Sequence, residues 1–143
     1  MLLPQNQPAI DSVFVYGTLK RGQCRETCWP VAPLQVIPGW VQGTLYGRDD
    51  YPALLAGKHH VAGERWMFEL PLMPRVLSVL DDIEGTDGNS PDDLYHRHVV
   101  DVYGEKGERM GTAYTYFYHR DPLADGFSEV PVIGGIQLWP TDG

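Results

Sequence analysis

One stretch of this chain carries clear helical periodicity: LPLMPRVLSVLDDIEG, residues 70–85. At about 100° per residue, Val76, Leu77, Leu80 and Ile83 all fall within about 80° of Met73, which makes one apolar stripe. Pro74 suits a first turn, where its missing N–H costs nothing. Gly85 suits the position just past the end. Sixteen glycines and twelve prolines punctuate the chain as a whole, so strands and turns must supply most of the structure. Val13–Tyr16 reads as a buried strand, rich in β-branched and aromatic residues. Residues 35–47 (QVIPGWVQGTLYG) read as a second strand, broken at Pro38-Gly39. GRDDYPALLAG reads as a turn followed by a short extended piece, and residues 59–70 as a further strand. YHRHVVDVYG and GTAYTYFYHR flank EKGERM as a hairpin. The expectation is a mainly β architecture, antiparallel or mixed, with one packed helix.

At 143 residues the chain is expected to be a single domain over 1–143, with residues 1–11 lying loosely on the surface. The formal net charge of -8 argues against nucleic acid and anionic membrane as partners, since both demand a basic face. No run approaches the ~18 apolar residues that span a bilayer. The opening MLLPQNQPAIDS lacks a basic region followed by an apolar core, so the expected location is cytoplasmic. Cys24 and Cys28 have no neighbouring histidine or cysteine to complete a zinc site, and read as reduced thiols.

Glu84 breaks the helical pattern. It lies about 20° from Met73, inside the apolar stripe and almost in line with Leu77. Asp82 falls opposite the stripe and Asp81 on its flank. A carboxyl at Glu84 therefore points toward the core, sits at the helix end where the macrodipole disfavours negative charge, and has Asp81 nearby. All three raise its pKa, and a carboxyl tuned toward neutrality suits general acid–base chemistry. A frayed helix end that lets Glu84 swing outward is the structural alternative.

A second feature is SVFVYGTLKRG, residues 12–22. A glycine at the end of a strand allows a sharp turn with φ > 0. The N–H groups of Thr18 and Leu19 can then point outward as a small anion cradle. The alternative is an ordinary turn with solvated amides. The Gly17–Gly22 spacing and the absence of Gly-Lys-Ser/Thr exclude a nucleotide P-loop.

FVYGTLKRG resembles the opening motif of the γ-glutamylcyclotransferase-like superfamily, and most closely that of its γ-glutamylamine cyclotransferase branch. In the same order, YPALLAG (51–57) resembles the family's Tyr-Pro segment and VAGERWMFEL its Val-x-Gly-Glu strand. VLDDIEG (79–85) resembles its Leu-Asp-x-x-Glu helix end, YHRHVVDV its Tyr-x-Arg strand, and AYTYFYHR its Tyr-rich final strand. The resemblance covers roughly residues 12–120. It implies an α+β fold: a small, mixed, barrel-like β-sheet with one main packed helix and a cavity. It implies that Tyr16, Gly17, Thr18 and Leu19 bind substrate, and that Glu84 is the proton acceptor. It also implies aromatic groups near the ligand, for which Tyr51 and Tyr118 are candidates; packing is the alternative for both. The implied reaction is intramolecular attack of a γ-glutamyl substrate's α-amine on its γ-carbonyl. That releases 5-oxoproline and an amine, with no metal or nucleotide cofactor. The insert GTDGNSPDD (85–93) and the tail after Arg120 are departures from the pattern that could shape the cavity mouth.

Other polar residues have simpler readings. His96 and His98 share a strand face with Val100 and Val102, which favours packing over metal binding. His59 and His60 read as solvated. Arg97 shares a face with Asp101 and reads as its ion-pair partner. Lys20-Arg21 reads as a solvated charged turn. Two rivals to the cyclotransferase remain open: a non-catalytic module that binds a small acidic metabolite, and an enzyme acting on a different γ-glutamyl adduct.

Overall fold

The apolar run at the start of the motif forms strand β1, Ser12–Val15, and is buried on both faces. Val13 and Val15 face one core cluster, which holds Met73, Val76 and Leu80 of the helix. Phe14 and the following Tyr16 face a second cluster, with Val41, Leu45, Leu54, Val61 and Val102. A strand between two cores shows no polar alternation, which is why this one reads as a continuous apolar run. The computed structural model describes residues 9–140. The expectation for the N-terminal segment falls mainly on residues 1–8, outside the described residues.

The remaining elements are β2 (Gln35–Gly47), β3 (Pro52–Met67), α1 (Met73–Glu84), β4 (Tyr95–Tyr103), β5 (Arg109–Tyr118), β6 (Ser128–Glu129) and β7 (Ile136–Gln137). The sheet order is β6-β2-β4-β5-β1-β3-β7, and β3 also pairs with β2. That last pairing closes β2, β4, β5, β1 and β3 into a five-stranded barrel. β1 runs antiparallel to β3 and parallel to β5, so the sheet is mixed. The second core cluster fills the barrel and α1 covers its outside, giving the expected α+β architecture.

Two strand expectations are corrected. Residues 35–47 are not broken at Pro38-Gly39: β2 runs unbroken, with Pro38 opposite Glu64 of β3. Near its start β2 has only β3 as a neighbour, β4 joining at Trp40↔Tyr103, and a strand with one open edge is where a proline is tolerated. The extended piece after Tyr51 and the strand at 59–70 are one strand, β3, because a bulge lets the chain continue. Gly43 pairs with His59 and Thr44 with Leu55, so residues 56–58 loop out between them.

The helix matches its expectation closely. A 3₁₀ turn, Leu70–Leu72, precedes α1, and Pro74 sits in its first turn. Gly85 ends it at φ 69°, in the left-handed region, with its N–H donated to the carbonyls of Asp81 and Asp82. That cap fixes the direction of the residue before it, Glu84.

Candidate active site

Where β1 ends, the chain makes a tight turn in which the Lys20 N–H donates to the Gly17 carbonyl at 3.1 Å. A turn of this kind uses only its first carbonyl and last N–H, so the amides between them stay free. Among the described residues, no acceptor takes the N–H groups of Gly17, Thr18 or Leu19. Tyr16, Gly17, Thr18 and Leu19 all line one small cavity of about 160 Å³. Gly17 does not have a positive φ, contrary to expectation. Glycine is required for space: a Cβ would lie 2.6 Å from Cγ of Pro52. The Tyr51-Pro52 pair thus packs directly on the turn, and both residues line the cavity.

Glu84 and Ile83 line the same cavity. Burial pushes its carboxyl from the ordinary 4.5 up to about 7, against a downward pull from the Arg25 guanidinium. The expected contribution from Asp81 is absent for a structural reason. Asp81 accepts from Arg97 Nη1 at 2.7 Å and from the Tyr116 hydroxyl at 2.6 Å, so its charge is already matched. Arg97 therefore pairs with Asp81 across to the helix, not with Asp101, which Arg109 takes at 3.0 Å.

No described residue donates a hydrogen bond to Glu84, although tyrosines surround it. Each nearby hydroxyl is committed elsewhere. Tyr16 donates to the Tyr116 carbonyl at 2.6 Å, and Tyr95 to the Pro52 carbonyl at 2.8 Å. Tyr116 holds Asp81. Burial first, and the Glu84 charge among the lesser causes, push all three phenols upward, so they stay protonated. The carboxyl is left desolvated without a compensating donor, the arrangement that favours its neutral form.

Of the residues expected at the site, Glu84, Tyr16, Gly17, Thr18, Leu19 and Tyr51 are brought together. Tyr118 is not in the wall. It stands behind Tyr95, ring centroids 5.2 Å apart, with its hydroxyl bound to Asp125. Its neighbour on the same face of β5, Tyr116, takes the place expected of it; the two-residue strand period was the available signal. The insert 85–93 lines no part of the cavity, and Leu94 and Tyr95 beyond it do. The insert folds against the start of β4: the N–H groups of Asp87 and Ser90 donate to the buried Asp93 carboxylate, and Asn89 exchanges two hydrogen bonds with the backbone of Arg97. The tail likewise stays out of the wall and packs on it: Phe127 meets Tyr51 edge-on at 5.5 Å.

Sequence reasoning missed Tyr95, Tyr116 and Arg25. Arg25 reaches the cavity from a loop with a short 3₁₀ turn (Glu26–Cys28) and no periodicity to betray it. Lys20, expected in solvent, is buried instead and donates to the Trp139 carbonyl at 2.5 Å. His96 packs, stacked on His119 at 3.6 Å. Cys24 and Cys28 are both free and exposed.

A family model described as "Gamma-glutamyl cyclotransferase, AIG2-like" matches residues 13–131. Among solved structures, an AIG2-like protein from Mus musculus is 25% identical, with 95% of this chain and 99% of that one covered and a TM-score of 0.59. A protein from Arabidopsis thaliana is 22% identical, covering 84% of this chain and 70% of that one, at a TM-score of 0.60. Protein ytfP from Escherichia coli is 22% identical, covering 91% and 96%, at a TM-score of 0.55. No curated protein matches the chain.

Proposed function

Because the chain belongs to the gamma-glutamyl cyclotransferase, AIG2-like family, we propose that Glu84 drives the ring closure of a small γ-glutamyl amide, releasing 5-oxoproline and a free amine. The observation that carries this reading is one desolvated carboxyl, raised to about 7, in the same small cavity as an unpartnered row of N–H groups. A carboxyl with that pKa can both accept and return a proton near neutrality.

The cavity holds the γ-glutamyl chain folded, so its α-amine lies against its own γ-carbonyl. A tethered, oriented nucleophile can lower the barrier by about 7–11 kcal/mol. Glu84 takes a proton from the α-ammonium, and the freed amine attacks. The new C–N bond forms the five-membered ring, and the carbonyl oxygen becomes an oxyanion. The γ-amide C–N bond then breaks as the departing nitrogen is protonated. Two protons leave the α-ammonium and two arrive on the released amine, so a single carboxyl relaying them requires no net proton from solvent. The N–H groups of Gly17, Thr18 and Leu19 anchor the α-carboxylate or meet the oxyanion. Tyr16 and Tyr95 hold the wall rigid through their hydrogen bonds to barrel carbonyls. The γ-glutamylamines, which the motif order first suggested, are the substrate class proposed.

The experiment is incubation of the purified protein with γ-glutamyl-lysine, γ-glutamyl dipeptides and glutathione, with 5-oxoproline read by mass spectrometry beside Glu84→Gln. Product from the wild type and none from a folded Glu84→Gln variant is the expected result. Ligand binding with no product from any compound would replace the enzyme with a binding module.

A further inference from the structure

Four phenols line the cavity with Glu84: Tyr16, Tyr51, Tyr95 and Tyr116. Tyr16, at the end of β1, and Tyr95, at the start of β4, donate to backbone carbonyls, those of Tyr116 and Pro52. Tyr51 comes from the loop before β3, where the Arg48 guanidinium lies 4.5 Å from its ring. Tyr116, on β5, is held differently. Its hydroxyl donates to a side chain, Oδ1 of Asp81, at 2.6 Å. The other oxygen of Asp81 accepts from Arg97 Nη1 at 2.7 Å. Arg97 lies directly opposite Tyr116 in the β4–β5 ladder, so one carboxylate of α1 ties down both members of a cross-strand pair. The remaining charged groups around Glu84 are Arg25, which pulls its carboxyl downward, and the exposed Asp82 beside it on α1.

A hydroxyl has one proton to donate. Residues three apart on a helix are neighbours, with Cβ atoms about 5–6 Å apart. Asp81 and Glu84 therefore present two carboxyls to the one Tyr116 hydroxyl. Burial first, then the hydrogen bond to Asp81, keeps that phenol protonated, and the Glu84 charge adds to the effect. Its proton goes to Asp81, whose carboxylate Arg97 fixes in place.

We propose that Asp81 is a positioning residue: together with Arg97 it withholds the Tyr116 hydroxyl from Glu84, so that the Glu84 carboxyl meets its substrate with no phenol bound to it. A hydrogen bond given to a carboxylate favours its charged form. Released from Asp81, the Tyr116 proton would weaken Glu84 as a base and cover an oxygen that must accept a substrate proton. Asp81 prevents both without touching the substrate.

This inference rests on the reading of Glu84 as the base, and its test needs no turnover. The Glu84 carboxyl carbon is titrated by NMR, its signal identified by its loss in Glu84→Gln. Asp81→Leu with Arg97→Met removes the pair while leaving the net charge unchanged, and replacing an ion pair by apolar residues of similar volume is commonly tolerated. In that protein Glu84 should titrate at least ~1 pH unit below its wild-type value, the effect of a hydrogen bond to the charged form. Adding Tyr116→Phe should return it to the wild-type value, and Tyr116→Phe alone should leave it there. Where 5-oxoproline is formed, the acid limb of kcat/KM should move with the carboxyl. An unmoved titration after the paired replacement would mean that the hydroxyl does not reach Glu84, and would overturn the role. A shift that persists once Tyr116→Phe is added would trace to packing or charge, and would overturn it too. Asp81→Ala with and without Tyr116→Phe poses the same question if the paired replacement does not fold. An upward shift in Tyr116→Phe alone would also overturn the role, with Asp81 untouched. Absence of 5-oxoproline from the wild type would remove the cyclotransferase and leave the titration to decide the hydrogen bond.

Discussion

Replacing the Glu84 carboxyl by an amide keeps its shape and removes its proton, so activity and stability should move in opposite directions. As a base Glu84 must be ionised, and kcat/KM should fall as pH drops through about 7. Arg25→Gln removes the pull that lowers this pKa, so the acid limb should move to higher pH. A pH–rate profile of each protein checks both statements. For stability, the folded carboxyl titrates at about 7 and the unfolded one near 4.5. Between those values the native state holds the extra proton, so this group's contribution declines as pH rises through the window. Glu84→Gln should therefore be more stable than wild type at pH ~8, by on the order of 3 kcal/mol, and the two should converge below pH ~4.5. Urea melts at the two pH values measure the difference; a less stable variant at the higher pH would show that the carboxyl is not desolvated in the folded state. Gly17→Ala is a purely steric test. Its Cβ would meet the Pro52 ring at 2.6 Å, and a ring closed onto its own backbone cannot swing away. The expected cost is about 1–3 kcal/mol of overpacking, with the cavity wall displaced and turnover reduced.

At the scale of elements, the direction of Glu84 depends on how α1 ends. Gly85 adopts φ 69°, which a residue with a Cβ reaches only with strain. The N–H of Thr86 returns to the Asp81 carbonyl at 2.9 Å, and its hydroxyl donates to the Tyr95 carbonyl at 2.7 Å. The cap therefore ties the helix end to the start of β4, and the two elements that supply Glu84 and Tyr95 are locked together. Gly85→Ala should cost about 1 kcal/mol and lower kcat by more than its destabilisation explains, because the last turn must rewind. Crystals or chemical-shift mapping would show the change confined to residues near 84–95; a normal kcat with a lowered Tm would mean the cap serves stability alone.

Across the whole molecule, the site lies where barrel and helix meet, and the C-terminal segment helps hold the barrel there. Gln137 is fully buried. Its Oε1 accepts the Leu45 N–H at 2.8 Å and its Nε2 donates to the Val130 carbonyl at 2.7 Å. A side-chain amide thus stands in for a strand backbone between β2 and the tail. Trp139 adds an indole N–H to the Arg48 carbonyl and takes Lys20 on its own carbonyl, linking the tail to the turn after the site. Gln137→Leu keeps the volume and strands a buried N–H, so a loss of about 1–3 kcal/mol is expected, read as a lower urea midpoint with an unchanged m-value. An unaltered midpoint would mean the tail is held by its apolar contacts alone.

The sequence by itself determined what depends on neighbours along the chain. The 3.6-residue period located α1 and put Glu84 on its buried side, Pro74 and Gly85 marked its ends, and the apolar run of β1 marked a buried strand. The motif Tyr16–Leu19 was legible as a turn because glycine ends the strand, although the reason for that glycine, the Pro52 ring, comes from another strand. What only the tertiary structure decided depends on pairings distant in sequence. The β2–β3 pairing makes one long strand of two apparent ones, and β5 offers Tyr116 in place of Tyr118. Asp81 finds Arg97, which removes the like charge expected beside Glu84 and leaves burial as the main cause of its raised pKa. Arg25 was illegible for the same reason: an arginine in an aperiodic loop acquires meaning only when a turn seven residues earlier carries it to the wall of a cavity.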